Sequence, residues 1–88
     1  MRIKLSGNLL RFSNFRDQVV VDAPSIAGGI QKLVLENPGL KNVLLDGEGG
    51  FRAIHRVFLN GELLTREELS RAAKTEDEVS ILTAIAGG

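Results

Sequence analysis

One segment of the chain has helical periodicity, and strand-like segments lie on both sides of it. The helical segment begins at Ser25, whose hydroxyl can cap the first turn. It ends at Asn37-Pro38-Gly39, because proline cannot continue a helix and disfavours a helical residue before it. Its apolar residues share one helix face: Ile26, Ile30, Leu33 and Val34. The chain must therefore cover one apolar helix face with a sheet that the flanking strands build.

Short alternating or β-branched segments predict two hairpins. Residues 1–6 alternate apolar with polar side chains, and residues 18–22 contain a run of three valines. We expect these two strands to pair across a wide loop. Residues 53–59 and 62–64 predict a second hairpin, because Asn60-Gly61 between them suits the two positive-φ positions of a type I′ turn.

A short helix and a final strand are predicted after the second hairpin. Thr65 and Glu68 have the spacing of a capping box, and the helix is expected to run to about residue 73. In the final strand Val79 and Ile81 fall on one face, which we expect to be buried, and Leu82 falls on the other.

The order of these elements predicts an α+β fold, a β-grasp in which one main helix packs across a mixed sheet of four to five strands. Alternation along the third strand points Val57 and Leu59 toward the helix and Phe58 away from it. We expect a β-grasp domain over residues 1–83 and a flexible C-terminal tail over residues 84–88.

The charge balance and the lack of cysteine exclude several classes of protein. Lys and Arg number 11, and so do Asp and Glu, so no global field attracts nucleic acid or an acidic membrane. Without cysteine there is no disulfide, thiolate metal site or cysteine nucleophile. No segment approaches the ~20 apolar residues of a membrane span. Residues 1–10 lack the apolar core of a signal peptide, so we expect a cytoplasmic protein.

The remaining polar motifs favour structural roles. The single histidine, His55, is expected to be a surface or hydrogen-bonded residue. Gly28-Gly29 and the glycine-rich residues 47–50 are not followed by Lys-Ser or Lys-Thr, so neither predicts a phosphate loop. The acidic residues of the last third are expected to be solvated, with no bound metal or cofactor: Glu67, Glu68, Glu76, Asp77 and Glu78.

The sequence given ends in Gly87-Gly88, after an apolar run over residues 81–86. Glycine has no Cβ, so such an end can enter a channel too narrow for a side chain, and the carboxyl carbon of Gly88 stays open to attack. A frayed end of small residues is the simpler interpretation of the dipeptide alone.

Three segments in order resemble the ubiquitin-like sulfur carriers of bacteria. They are residues 57–62 (Val-Phe-Leu-Asn-Gly-Glu), 77–82 (Asp-Glu-Val-Ser-Ile-Leu) and 84–88 (Ala-Ile-Ala-Gly-Gly), and the helix end at residues 37–40 is also similar. That family includes the thiamine sulfur carrier, the small subunit of molybdopterin synthase and the cysteine-biosynthesis carrier. The resemblance covers nearly the whole chain and implies the same β-grasp fold.

The resemblance implies a protein that carries sulfur on its C-terminus. An E1-like adenylating enzyme would adenylate Gly88 with ATP and Mg²⁺, and a sulfur-source protein or sulfide would displace AMP to leave a thiocarboxylate. A downstream synthase would then accept the sulfur for cysteine, molybdopterin or another metabolite. The chain would be a co-substrate and not an enzyme, or the non-catalytic small subunit of a synthase.

The resemblance also implies which residues meet partners. Gly88 would be the reacting group, and Ala86, Gly87 and Gly88 would form the tail that enters each enzyme. Leu82 matches a family position that contacts the activating enzyme, and Arg11 is similar to a family arginine near that interface. Phe58 and Ile85 would extend the apolar docking patch around Leu82.

Two alternatives stay open at this point. The chain could be a ubiquitin-like modifier that is joined to lysines through Gly88, a function that shares the adenylation step. It could also be a β-grasp interaction module with an inert tail, in which case Phe58 and Leu82 would face a dimer partner or a second layer.

Overall fold

Five strands and one long helix form the chain over residues 1–83, which the computed structural model describes. The predicted flexible tail, residues 84–88, lies outside the described residues. Short 3₁₀ turns span Gly7–Phe12, Pro38–Leu40 and Glu67–Ser70. The regular elements are β1 (Arg2–Leu5), β2 (Gln18–Val20), α1 (Ile26–Glu36), α2 (Lys41–Leu44), β3 (His55–Leu59), β4 (Glu62–Leu63) and β5 (Glu78–Thr83).

The strands form one mixed sheet in the order β2-β1-β5-β3-β4. β1 and β5 run parallel, with Ile3 opposite Val79, and all other neighbours are antiparallel. The final strand therefore lies in the middle of the sheet, between the two predicted hairpins. This is the β-grasp architecture that the sequence predicted, with five strands. No helix within residues 1–83 has the length and apolar character needed to cross a membrane.

Helix α1 packs across one face of the sheet, as its apolar face requires. The Ser25 Oγ accepts a hydrogen bond from the Gly28 N–H at 3.0 Å, which confirms the predicted N-cap. At the other end the Asn37 Nδ2 donates to the Leu33 carbonyl at 3.1 Å. A Cβ at Gly29 would collide with the Met1 side chain, so this glycine permits the helix to approach the sheet closely.

The core lies between α1 and the inner face of the sheet. Ile3, Val79 and Ile81 at the sheet centre have no exposed surface, and neither do Ile26 and Leu33 of the helix. The predicted alternation is therefore confirmed in β3 and β5. The segment after α1, which had no assigned element, adds Leu40 and Leu44, both fully buried.

Two strands are shorter than predicted. β2 ends at Val20 and not at residue 22, although the backbones of Val21 and Met1 still exchange two hydrogen bonds, of 3.0 and 2.8 Å. β3 begins at His55 and not at residue 53, because residues 52–55 form a turn in which the His55 N–H donates to the Arg52 carbonyl at 3.2 Å.

The predicted helix over residues 65–73 is wrong. The capping box itself forms, since the Thr65 N–H donates to Glu68 Oε1 at 2.9 Å and the Glu68 N–H donates to Thr65 Oγ1 at 3.3 Å. The element is only the 3₁₀ turn Glu67–Ser70. The reason is tertiary, because the next residues pair with the start of α1 and the chain just before it. The Ile26 N–H donates to the Arg71 carbonyl, and the Ala73 N–H donates to the Pro24 carbonyl.

The predicted type I′ turn joins β3 to β4. Asn60 and Gly61 have φ values of 50° and 88°, the positive values that this turn needs at both central positions. Asn60 also reaches the start of β5, where its Nδ2 donates to Asp77 Oδ1 at 3.1 Å and its Oδ1 accepts the Glu78 N–H at 2.9 Å. The turn therefore helps to hold the first residues of the central strand.

Alanine at position 61 tests the turn. We expect Gly61→Ala to lower the free energy of unfolding by about 1 kcal/mol, because a Cβ is strained at this positive φ. Gly47→Ala is the matched control, since its Cβ would meet open space and its φ is not positive, and it should be neutral or stabilising by ~0.5 kcal/mol. Urea unfolding measures both, and equal effects would contradict the turn assignment.

The carboxylate of Asp77 is held in its ionised form. The Lys74 backbone N–H donates to Asp77 Oδ2 at 2.8 Å, and this bond, followed by the Asn60 side-chain bond, lowers the Asp77 pKa below its ordinary value of 3.8. A lowered folded-state pKa contributes stability that is present above pH 3.8 and is lost as pH falls through the folded value.

Asp77→Asn should therefore destabilise the protein at pH 7, and the stability gap to the unsubstituted protein should narrow as pH falls below 3.8. Asp17→Asn is the control for removal of an exposed carboxylate, and it should leave the urea midpoint at pH 7 nearly unchanged. Urea midpoints at neutral and acid pH measure the difference. A constant gap for Asp77→Asn would contradict the assigned role.

Candidate functional site

The predicted reacting group lies beyond the described residues. Gly88, together with Ile85, Ala86 and Gly87, falls in the part of the chain that the structure does not describe. Strand β5 leads toward this end and its last residue is Thr83. The surface around β5 is therefore the described surface from which a tail site would be approached.

The outer face of the sheet, opposite α1, carries both predicted docking residues of the folded domain. Phe58 of β3 is half-buried, and Leu82 of β5 is 41% exposed. Phe58 lies opposite Ser80, so Leu82 is its diagonal neighbour on the same face. Diagonal neighbours in a sheet are within reach of aromatic side chains. The structure thus brings Phe58 and Leu82 together.

Leu63 of β4 belongs to the same apolar surface and was not predicted. It lies directly opposite Phe58 and is 52% exposed. The signal was present in the sequence, because a two-residue turn at Asn60-Gly61 pairs Leu59 with Glu62 and hence Phe58 with Leu63. We call Phe58, Leu63 and Leu82 the outer patch.

The other half of the outer face is charged. Glu78 of β5 accepts ion pairs from Arg2 at 3.7 Å and from Lys4 at 3.3 Å, both on β1. Exposed pairs of this kind contribute about 0–1 kcal/mol each to stability. The outer face therefore differs along its width, with the outer patch on the β3 and β4 side and these ion pairs on the β1 side.

Arg11 lies away from the strands. It is exposed on the 3₁₀ turn Gly7–Phe12, which buries Leu9 in the core and contacts β5. Arg11 thus belongs to a turn that contacts the central strand, but Arg11 itself is exposed and lies outside the outer patch.

His55 connects the end of β5 to α2. Its ring is buried, with Nε2 at 2.7 Å from the Val43 carbonyl and Nδ1 at 3.2 Å from Thr83 Oγ1. Because a carbonyl only accepts, Nε2 carries a proton, and in the neutral ring Nδ1 accepts from the Thr83 hydroxyl. The ring also packs edge-on against Phe51, with centroids 5.6 Å apart. The predicted hydrogen-bonded role is confirmed, and its partner is the last described residue before the tail.

These features form a candidate binding surface. Within residues 1–83, no three His, Asp or Glu side chains lie close enough together to hold a metal ion. The outer patch offers apolar area next to an ordered charge pattern, which is the arrangement of a surface that contacts another protein.

Comparison with known proteins places this chain in a family. The ThiS family model matches residues 3–88. No curated protein sequence matches the chain significantly.

Solved structures of three proteins are similar over almost the whole chain. The crystal structure of SAMP1 from Haloferax volcanii has a TM-score of 0.82 and 25% identity, with 99% of this chain and 97% of that chain covered. The Amycolatopsis orientalis BexX/CysO complex contains a chain with a TM-score of 0.84 and 22% identity, with coverage of 99% and 98%.

The third similar structure is a complex of subunits 1 and 2 of molybdopterin-converting factor from Helicobacter pylori. The matching chain has a TM-score of 0.64 and 20% identity, with 99% of this chain and 96% of that chain covered. Because the family model extends from the first strand to the diglycine, the chain belongs to the ThiS family, a family of ubiquitin-like sulfur carriers.

Proposed function

We propose that this protein carries sulfur as a thiocarboxylate on Gly88. The observation that carries the proposal is the extent of the family match, which includes the terminal Gly87-Gly88. A carboxylate is a poor electrophile because oxide is a poor leaving group. The Gly88 carboxylate would attack the α-phosphorus of ATP and release pyrophosphate. Sulfide, or a persulfide with a reductant, would then attack the acyl carbon and expel AMP.

The protein acts in this scheme as a co-substrate. The reacting atoms belong to the backbone of Gly88, so no side chain of the folded domain needs to take part in the chemistry. An E1-like adenylating enzyme would catalyse the adenylation with ATP and Mg²⁺, and that enzyme would recognise the folded domain. The outer patch, together with Ile85 and Arg11, is the surface that we assign to the activating enzyme.

A downstream protein would accept the sulfur. The CysO of Amycolatopsis orientalis was solved in complex with BexX, and the two molybdopterin-converting factor subunits were solved together. By analogy, a synthase would bind this protein and take sulfur from Gly88. Cysteine, molybdopterin and other sulfur-containing metabolites are the three classes of product that this chemistry serves.

Protein modification is the second candidate function. It is favoured by the likeness to SAMP1, named the small archaeal modifier protein 1, at 25% identity. Modification would use the same adenylate but transfer Gly88 to a lysine amine, which leaves an amide bond and no sulfur on the chain.

Intact-mass measurement separates these functions. Incubation with the cognate activating enzyme, ATP, Mg²⁺ and sulfide should replace one oxygen of the protein by sulfur, with the corresponding gain in mass. Conjugation would give larger species instead. If neither product forms, Gly88 is inert and the β-grasp domain is an interaction module.

Deletion of Gly88 should abolish this mass change and leave the melting temperature unchanged, because a terminal glycine has no side chain to bury. Gly47→Ala is the control variant and should be activated normally, since this position faces open space. Continued activation of the chain without Gly88 would exclude the diglycine as the site.

Leu82→Asp tests the outer patch. A buried charge in an apolar interface should weaken binding to the activating enzyme by roughly tenfold or more. Val20→Asp is the matched control, because Val20 is 76% exposed on the same face of the sheet but two strands away from β5. Isothermal titration calorimetry measures both affinities, and equal losses would remove the outer patch from the interface.

A further inference from the structure

A groove on the flank of the sheet is lined by three arginines. It lies between β3, β4 and the 3₁₀ turn Glu67–Ser70 and has a volume of about 290 Å³. Its floor is apolar and includes Phe51, Leu64 and Leu69. The charged side chains that line it are Arg52, Arg56 and Arg66, and the lining contains no carboxylate. We call this surface the arginine groove.

Each guanidinium of the arginine groove is held by a backbone carbonyl. Arg52 Nε donates to the Asn42 carbonyl at 3.0 Å. Arg56 Nη1 donates to the Ala53 carbonyl at 2.7 Å. Arg66 Nη2 donates to the Phe51 carbonyl at 2.6 Å. A guanidinium has five N–H donors, so each arginine is ordered and still has donors for a ligand.

The three positive charges are not paired with carboxylates. Within residues 1–83, none of the three guanidinium groups lies within 4.0 Å of a carboxylate oxygen. Glu62 on β4 and Glu68 on the following turn both pair instead with Arg71, at 3.9 and 3.5 Å. The groove therefore carries three positive charges that form no close ion pair within the described residues, in a chain whose formal net charge is zero.

Asp46 is an acidic side chain whose pKa is affected by two of these arginines. Its Oδ1 accepts the backbone N–H groups of Gly50 and Glu48, both at 2.9 Å. These two bonds are the largest causes of its lowered pKa, and the charges of Arg66 and Arg52 lower the pKa further. One such carboxylate leaves most of the positive charge of the groove available.

The arginine groove lies next to the strand that leads to Gly88. Arg56 lies opposite Leu82. His55 also lines the groove and lies opposite Thr83. Leu63 is a member of the outer patch and also lines the groove. A protein that covers the outer patch and the tail would therefore also reach the arginines.

We propose that the arginine groove binds an acidic segment of a partner protein, with carboxylates on the arginines and apolar side chains on the floor. Arginine pairs with carboxylates through two parallel hydrogen bonds. The apolar floor and the zero net charge favour a polypeptide over a nucleic acid, which needs an extended basic surface. The inference goes beyond the sulfur chemistry, because the groove can bind whether or not Gly88 is activated.

Titration of the full chain with a fluorescent peptide of alternating glutamate and leucine tests the groove. Amide chemical shifts in the two-dimensional NMR spectrum should change at Phe51, Leu64 and Leu69, and the affinity should fall as salt is added. The same peptide with glutamine for glutamate should bind more weakly. Equal affinity for the glutamine peptide, or shift changes confined to other surfaces, would overturn the proposal.

The double variant Arg56→Glu/Arg66→Glu should weaken binding of the acidic peptide by roughly tenfold. Arg16→Glu is the control for a change of charge alone, since Arg16 is exposed before β2 and outside the groove. Thermal unfolding checks that the double variant folds. If it does not fold, the NMR titration of the unsubstituted protein still tests the proposal. An equal loss in Arg16→Glu, or tighter binding of a single-stranded DNA oligonucleotide than of the peptide, would overturn the proposal.

Discussion

The parallel pairing of β1 with β5 is the contact on which the rest of the structure depends. It joins the first and last strands at the centre of the sheet, with Ile3 opposite Val79 and Leu5 opposite Ile81. Ile3, Val79 and Ile81 have no exposed surface, so separating the strands would expose the middle of the core. The two hairpins and α1 are arranged around this pair, and the direction in which the chain leaves the domain is set by it.

The same alternation that buries β5 gives it a second role. Val79 and Ile81 bind the strand to the core, while Leu82 on the other face remains available to a partner. The His55 side chain also forms a hydrogen bond with the Thr83 hydroxyl at the end of the strand. A carrier that presents its C-terminus to several enzymes benefits from this separation, because contacts with partners then involve residues that the core does not need.

Two surfaces of different chemistry meet at β3. The outer patch is apolar and lies on the open face of the sheet, and the arginine groove is basic and lies on the flank beyond β3. Leu63 belongs to both. The order of the strands explains why they are adjacent: β3 lies between β5 and the short β4, so its residues line the groove and the outer face together. For a ThiS family member, this arrangement offers a partner protein more than the diglycine to recognise.

The sequence by itself determined the elements whose signals are local. Ser25 and Asn37 cap the two ends of α1, and Asn60-Gly61 form the turn. Strand alternation placed Phe58 and Leu82 on one face of the sheet. Each of these features depends on a spacing of only a few residues. Only the tertiary structure decided the rest. The predicted helix after Thr65 is cut short because residues 71–73 pair with the start of α1 and the chain just before it. His55 forms hydrogen bonds with Val43 and Thr83, which are 12 and 28 residues away in the sequence. The arginine groove likewise joins three side chains whose neighbours are set by folding. Contacts between distant residues have no local spacing, so no periodicity or turn motif in the sequence encodes them.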